Sequence, residues 1–244
     1  MEYSFANLSQ TDLKEVLLFN QDIWPAFLRE ADGGPATKLY EPLHSEFSGF
    51  QGALRVGTRL VAVINSIPLR WDGTRKDLPE GWNGALLKGF SERSDLSDTL
   101  CAIGVGIAPS VRGQGLSQRC LLEMKGLAQK NGLRRMIAPV RPTAKEEFPH
   151  LTMEEYLSKK TANGLLYDPW LRTHARLGAK ILGVAESSVT ARGTVDQWER
   201  WTGMSFPKSG RYAIPGGLVP VDIDIERNLG TYLEPNVWME HPMS

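Results

Sequence analysis

Apolar and polar residues recur along the chain with two different periods, which predict strands and helices in turn. Two apolar, β-branched runs, at Gln51–Val56 and residues 60–69, are separated by Gly57-Thr58-Arg59 and predict a β-hairpin. Thr99–Ile107 and Arg135–Val140 have the same strand character. Between these last two strands, apolar residues at helical spacing predict an amphipathic helix that ends at Asn131-Gly132: Leu116, Cys120, Leu121, Met124, Leu127 and Ala128.

The remaining elements are predicted from shorter patterns. Residues 72–98 are rich in Gly, Asp, Ser and Pro and carry one helical pattern at 85–90, so we expect a long excursion rather than a linker between domains. The other predicted elements are a strand at 3–8, helices starting near Thr11 and Pro25, helices at 152–159 and 169–177, a strand at 180–185, a short helix capped by Thr194 and a strand over 219–225. No internal repeat or composition break divides this order, which predicts a single domain spanning residues 1–244.

Composition excludes several classes of function. Lys+Arg and Asp+Glu both number 28, so the chain has no net basic charge that would attract nucleic acid or an anionic membrane surface. The N-terminus has no signal-peptide pattern and no apolar run is long enough to cross a bilayer, so we expect a cytoplasmic protein without nucleic-acid or membrane partners. Cys101 and Cys120 lie in apolar runs and are expected to be buried thiols. The four histidines show no close spacing with cysteine, so no metal site is predicted.

The segment I-A-P-S-V-R-G-Q-G-L-S, residues 107–117, joins a predicted strand to the amphipathic helix. The first amides of a helix have no acceptor within it, glycine allows close approach of a ligand, and the helix dipole favours an anion, so a phosphate or pyrophosphate is the natural ligand. A purely structural strand-to-helix turn is the competing interpretation. A dinucleotide-binding fingerprint fits poorly because Pro109, and not a third glycine, follows Gly104-x-Gly106. A Walker loop is excluded because no Gly-Lys-Ser/Thr follows.

Ile107-x-Pro109-x-x-Arg112-Gly113-x-Gly115-Leu116-Ser117 resembles the acyl-CoA-binding motif of the GNAT superfamily of N-acetyltransferases, R/Q-x-x-G-x-G/A preceded by V-x-P on the fourth strand. Residues 173–179, T-H-A-R-L-G-A, lie where that family often has F-Y-x-x-x-G-F, and the order of elements matches the family core over residues 1–185. The resemblance implies an α/β (α+β), GNAT-like acyl-CoA N-acyltransferase fold, in which helices flank a central, mixed and mostly antiparallel sheet. Residues 186–244 exceed that core, and we expect this C-terminal extension to cover the acceptor cleft or an interface such as that of a homodimer.

Carried over to this chain, the resemblance implies acetyl-CoA or another acyl-CoA as co-substrate, without a metal. The pantetheine arm would pair with the main chain of Val105, Gly106 and Ile107. The pyrophosphate would lie on a cradle formed by Arg112, Gly113, Gln114, Gly115, Leu116 and Ser117. Ser117 departs from the family's final Gly or Ala but is small enough to keep the pocket.

The implied reaction is direct attack of a small-molecule amine, such as an amino-acid-like acceptor, on the acyl-CoA thioester. It needs a deprotonated amine, a donor for the developing oxyanion and an acid for the leaving thiolate. The family's usual acid is the Tyr of F-Y-x-x-x-G-F, but His174 stands at this position. Imidazole titrates near neutrality, so His174 is the predicted catalytic residue, with Tyr167 in reserve. Trp170, Trp71 and Glu46 are the predicted acceptor contacts.

Two other classes of function remain compatible with these residues. A non-catalytic acyl-CoA sensor would keep the cradle while His174 only packs. The same fold could also serve other CoA-thioester chemistry, decarboxylation or transfer to an acyl-carrier protein, for which histidine at the tyrosine position is a mild argument. Release of free CoA only with an amine, also without an amine, or not at all separates the three classes.

Overall fold

The structure, a computed structural model, describes residues 2–92 and 96–243, so residues 93–95 of the predicted excursion lie outside the described residues. In the described part of the chain the strands are β1 Ser4–Asn7, β2 Gln51–Val56, β3 Arg59–Leu69, β4 Thr99–Ile107, β5 Arg135–Val140, β6 Lys180–Gly193, β7 Gly210–Tyr212, β8 Val221–Asp224 and β9 Leu229–His241. The α-helices of the same part are α1 Leu13–Gln21, α2 Ala26–Glu30, α3 Tyr40–Glu46, α4 Gly81–Ser91, α5 Leu116–Lys130, α6 Met153–Ser158, α7 Pro169–Arg176 and α8 Val195–Thr202. None of these helices is both long and apolar enough to cross a membrane.

The described strands form one sheet in the order β1-β2-β3-β4-β5-β9-β8-β7, and β6 pairs with the other edge of β9. Every pair is antiparallel except β4 with β5, which is parallel. Helices cover both faces, because α5, α6 and α7 contribute to a first core whereas α3 and α4 contribute to a second. This architecture confirms the predicted fold class, a mixed and mostly antiparallel sheet flanked by helices.

β4 and β5 are neighbours over only part of their length. Three residues of β4, Thr99 to Cys101, pair with Arg135 to Ile137, and beyond these pairs the two strands diverge. β4 stays paired with β3 as far as Ile107, and β5 stays paired with β9 as far as Val140. The C-terminal half of β4 therefore presents one edge without a strand partner among the described residues.

A bulge in β4 changes the face on which its residues lie. The ladder between β3 and β4 skips Ile103, which is therefore an extra residue on β4. Val105 packs against the first core, on the side of α5, whereas Ile103 belongs to the second core on the opposite face. Because side chains alternate along a strand and Ile103 is an extra residue, Gly104 lies on the same face as Ile103, and Gly106 follows on that face.

Several regions differ from the sequence prediction. α3 is not among the predicted elements, α4 is longer than the pattern at 85–90, and β6 continues to Gly193 instead of ending at 185. Only Val221–Asp224 of the strand predicted over 219–225 is a strand. β9 is also not among the predicted elements, because Pro235 and its polar neighbours interrupt the apolar pattern. The sheet accommodates Pro235 because it faces the irregular part of β6, where the ladder shifts register.

The predicted C-terminal extension, residues 186–244, is only partly an addition to the sheet. β9 itself is an internal strand of the sheet that is paired along both edges, so it is not an addition outside the core. The rest of the segment packs against α2, where the ring of Phe27 lies 5.5 Å from Trp198 of α8, and the same ring lies 5.1 Å from Tyr232 of β9. Its contact with an acceptor cleft or a homodimer interface stays a prediction.

Gly230→Ala tests the packing of α8 on β9. A Cβ at Gly230 would lie 2.2 Å from Cδ1 of Trp198, whose side chain is fully buried. We expect the substitution to lower the free energy of unfolding by about 1–3 kcal/mol, because the indole must shift, as measured by urea denaturation. Gly126→Ala in α5 is the matched control, since a Cβ there meets no described atom within 4 Å. Equal stability of Gly230→Ala and the wild type would contradict this packing.

Candidate functional site

The turn between β4 and α5 is exposed and depends on two glycines. Gly113 and Gly115 have φ angles of 80° and 77°, in the left-handed region that residues with a side chain rarely adopt. A Cβ at either position would meet no described atom within 4 Å, so the turn is open to solvent. Arg112 is held beside it because its Nε donates a hydrogen bond of 3.3 Å to the carbonyl of Ile107.

α5 begins directly after this turn without a capping side chain. Gly115 is the N-cap residue, so the amides of Leu116 and Ser117 have no acceptor within the helix and none from a cap. Leu116 is buried in the first core and fixes the start of the helix. Gln114 is exposed, and its Oε1 accepts a hydrogen bond of 2.5 Å from the hydroxyl of Tyr3. These N–H groups at the positive end of a helix fit an anion such as a pyrophosphate.

The diverging edge of β4 leads into this turn. Val105 and Ile107 are half-buried against the first core and Gly106 is buried, and all three lie on the part of β4 that β5 leaves unpaired. An unpaired strand edge offers backbone donors and acceptors to an extended ligand that carries amide groups. The residues predicted for the pantetheine arm and those predicted for the pyrophosphate are therefore brought together as one continuous stretch.

His174 is buried in contact with a second histidine. Its Nδ1 lies 2.8 Å from Nε2 of His241, and the ring of Trp170 stands edge-on at 4.2 Å. His174 Nε2 and His241 Nδ1 are buried and have no hydrogen-bond partner among the described residues. Burial, with a contribution from His241, holds the pKa of His174 well below its usual value. Burial, with a contribution from Lys125, lowers the pKa of His241 to about 4.

Both rings are therefore uncharged at neutral pH. An uncharged imidazole is a much weaker acid than imidazolium, so the predicted role of His174 as the acid for the thiolate is disfavoured. The ring is only 1% exposed. Its partner His241 pairs with Met136, at the closed end of the opening between β4 and β5. Nε2 of His174, the nitrogen of this ring without a hydrogen-bond partner among the described residues, remains available for proton exchange. A catalytic role for His174 stays a prediction.

The other predicted site residues occupy different environments. Tyr167 is half-buried between two aromatic rings, with its hydroxyl 3.4 Å from Oε2 of Glu147. Glu46 is exposed at the end of α3. Trp71 is 1% exposed in the second core, and its indole N–H donates to the carbonyl of Thr74 at 2.8 Å. This burial leaves little of the Trp71 surface for an acceptor, and the predicted contact stays a prediction. No group of three or more His, Cys, Asp or Glu in the described part of the chain could hold a metal ion.

Two buried polar clusters are absent from the sequence predictions. One is centred on Asn65 of β3, which hydrogen-bonds to Tyr40 and His44 of α3 and to Gln51 of β2, and Asn20 of α1 in turn donates to Tyr40. Its sequence signal is a polar Asn65-Ser66 pair inside an otherwise apolar run. The other is an ion pair beside the end of β5, where Arg141 Nε lies 2.9 Å from Oε1 of Glu234. This pair has no local signal because its partners are 93 positions apart.

The histidine pair predicts a loss of stability in mild acid. The folded pKa of His241, about 4, lies below the ordinary 6.5, so the unfolded chain binds protons first as the pH falls. Its stabilisation is complete above pH 6.5 and decreases by on the order of 3 kcal/mol as the pH approaches 4. Urea denaturation across this range measures the slope. A double variant, His174→Leu with His241→Leu, is the control, and an equally steep slope in that variant would contradict the assignment.

Known proteins resemble this chain in sequence or in fold. No family model matches the chain. An arginine N-acetyltransferase of Aspergillus versicolor is 33% identical over 207 residues, covering 75% of this chain and 71% of that protein. Among solved structures, the loading GNATL domain of CurA from Lyngbya majuscula is 19% identical, covers 100% of this chain and 98% of its own, and has a TM-score of 0.66. The GphF GNAT-like decarboxylase in complex with isobutyryl-CoA is 14% identical, with 99% and 100% covered and a TM-score of 0.59. With this relative and this fold, the chain belongs to the GNAT superfamily of N-acetyltransferases.

Proposed function

We propose that this chain transfers the acetyl group of acetyl-CoA to the amine of arginine or a closely related amino acid. The observation that carries the proposal is the unpaired edge of β4, which runs directly into the exposed turn at residues 112–115 and the uncapped first amides of α5. The 33% identity with an arginine N-acetyltransferase supports the choice of acceptor.

The residues along this edge fit acetyl-CoA. The first amides of α5 and Arg112 would hold its pyrophosphate, and the main chain from Val105 to Ile107 would pair with its pantetheine arm. Gly113 and Gly115 keep the turn free of side chains, so the backbone can approach the phosphates closely. When bound, acetyl-CoA supplies an electrophilic thioester carbonyl.

The chemical step requires few groups from the protein. The acceptor nitrogen forms a C–N bond to the carbonyl carbon, the C–S bond breaks, the nitrogen loses a proton and CoA leaves as the thiol. A main-chain N–H on the open edge of β4, between Val105 and Ile107, is the proposed donor to the developing oxyanion. His174 and Tyr167 are the candidates for moving the proton. The lowered pKa leaves His174 without an acidic imidazolium proton and also makes its imidazole a weak base.

The α-amino group is the expected nucleophile of arginine. A guanidinium, with a pKa above about 12, stays protonated at neutral pH, whereas the α-amino group of a free amino acid is several pKa units less basic and has a much larger uncharged fraction. Only the uncharged nitrogen has a lone pair for attack on the thioester. The proposed product is therefore Nα-acetylarginine.

Incubation of the purified chain with acetyl-CoA and arginine tests the proposal. We expect release of free CoA, followed with a thiol reagent, and formation of Nα-acetylarginine, located by tandem mass spectrometry. Lysine and agmatine serve as matched acceptors that differ in the side-chain cation or lack the carboxylate. Equal CoA release without any amine would indicate other thioester chemistry, and binding of acetyl-CoA without release would indicate a sensor. Either result would contradict the proposal.

His174→Phe tests the participation of the buried histidine in the reaction. A proton-transfer role for His174 predicts a fall in kcat of about 10²–10⁴ with an unchanged KM for acetyl-CoA, measured by steady-state kinetics. His241→Phe is the control, because it disrupts the same ring contact but retains the imidazole of His174. If both variants lose thermal stability and keep the wild-type kcat, His174 has only a structural role.

A further inference from the structure

Two glycines on one face of β4 leave the strand surface bare beside the bulge. A Cβ at Gly106 would lie 3.3 Å from Phe19 of α1, so side chains already cover that position. A Cβ at Gly104 would meet only Asn65 within 4 Å among the described residues, with its Cβ and Oδ1 both at 3.7 Å. Gly104 also retains partial solvent exposure. The surface above Gly104 is therefore an open space next to the amide of Asn65.

Two aromatic rings form a wall of this space. Tyr40 and Trp82 are stacked with ring centroids 6.5 Å apart and an angle of 29° between their planes. The indole N–H of Trp82 donates a hydrogen bond of 2.9 Å to the carbonyl of Ile103, the extra residue of the bulge. The wall is thus attached to the backbone of β4 one residue before Gly104.

The amide of Asn65 has only one orientation compatible with its neighbours. Its Nδ2 donates to Nε2 of His44 at 3.2 Å and to Oε1 of Gln51 at 3.1 Å, which uses both amide hydrogens. Its Oδ1 accepts a hydrogen bond of 3.0 Å from the hydroxyl of Tyr40. The oxygen of Tyr40 in turn accepts from Nδ2 of Asn20 at 2.9 Å. Because each hydrogen bond fixes the orientation of the next group, the directions of the remaining lone pairs on Oδ1 of Asn65 and on the oxygen of Tyr40 are fixed as well.

At Asn65 and Tyr40, the unused hydrogen-bonding capacity of this network consists of acceptors. Oδ1 of Asn65 and the oxygen of Tyr40 each have a second lone pair, whereas the hydrogens of both groups are already donated. No charged group takes part, because burial keeps His44 uncharged by lowering its pKa and raises the pKa of Tyr40 to about 12. Such a site accepts N–H donors but offers no counter-charge to an ammonium ion.

We infer that the acceptor nitrogen binds above Gly104, where it donates hydrogen bonds to Oδ1 of Asn65 and to the hydroxyl oxygen of Tyr40. The inference rests on the proposed function and assigns its acceptor subsite. Because the subsite is neutral and partly buried, it favours the uncharged amine, the nucleophilic form, over the ammonium form. Tyr40 and Asn65 act by binding and orienting the acceptor, and Asn20, His44 and Gln51 are positioning residues.

Gly104→Ala is the most direct test of this subsite. At 3.7 Å from Asn65 the new methyl group makes ordinary van der Waals contact, so the fold accommodates it, but it occupies the space assigned to the acceptor. We expect the KM for arginine to rise about tenfold or more while the KM for acetyl-CoA stays unchanged. Gly126→Ala, the same substitution on an exposed position of α5, is the control and changes neither KM.

Tyr40→Phe removes one acceptor and keeps the ring that stacks on Trp82. We expect about a tenfold rise in the KM for arginine, again with an unchanged KM for acetyl-CoA, because one hydrogen bond to the acceptor is lost. Thermal unfolding of both variants verifies that they are folded. If Gly104→Ala does not fold, the KM for arginine of Tyr40→Phe tests the subsite alone.

The two failures are distinguishable. If the wild type does not acetylate arginine or a related amine, the proposed function is wrong and the inference falls with it. If the wild type acetylates arginine and both folded variants retain its KM for arginine, only the acceptor subsite is wrong.

Discussion

The early separation of β4 from β5 is the constraint on which the candidate site depends. A continuous parallel ladder would satisfy the backbone groups of Val105 to Ile107 with β5 and leave nothing for a ligand. The separation persists because each strand is held along its other edge, β4 by β3 and β5 by β9. Backbone groups on the open edge need a ligand or water as partner. In the proposed site, recognition of acetyl-CoA therefore depends on backbone groups of β4 and of the turn that follows it, more than on particular side chains.

Three buried polar clusters accompany this opening, and they differ in how completely they are satisfied. The network of Asn65 uses both amide hydrogens, and the carboxylate of Glu234 accepts from Arg141 through both oxygens. The pair of His174 and His241 leaves one nitrogen on each ring without a partner among the described residues. An unsatisfied buried polar group costs roughly 1–3 kcal/mol, so this pair is a local weakness where the other two clusters rigidify the fold.

The sequence was sufficient for the elements whose pattern is local. The apolar stripe of α5, the hairpin of β2 and β3 and the glycine-containing turn from β4 to α5 were predicted correctly. Hydrophobic period, turn residues and backbone conformation all act within a few residues. α3 has no such pattern, since Pro42 and polar residues interrupt it, and it forms because Leu43 and His44 become buried. β9 combines Pro235 with buried Glu234 and Asn236, whose partners lie on other strands. The burial of Trp71 in the second core likewise cannot be deduced from its neighbours in sequence.

The position of β9 also has a consequence for the order in which the protein is assembled. Met136 of β5 pairs with His241, so the strand that holds β5 in place is synthesised roughly a hundred residues after β5 itself. Until it emerges, β5 has only its short parallel pairing with β4, the weaker type of ladder, and exposes its other edge. The chain therefore acquires a ligand-competent opening late, in a non-local step that follows most of its local structure. During this interval the exposed edge of β5 is open to pairing with other strands.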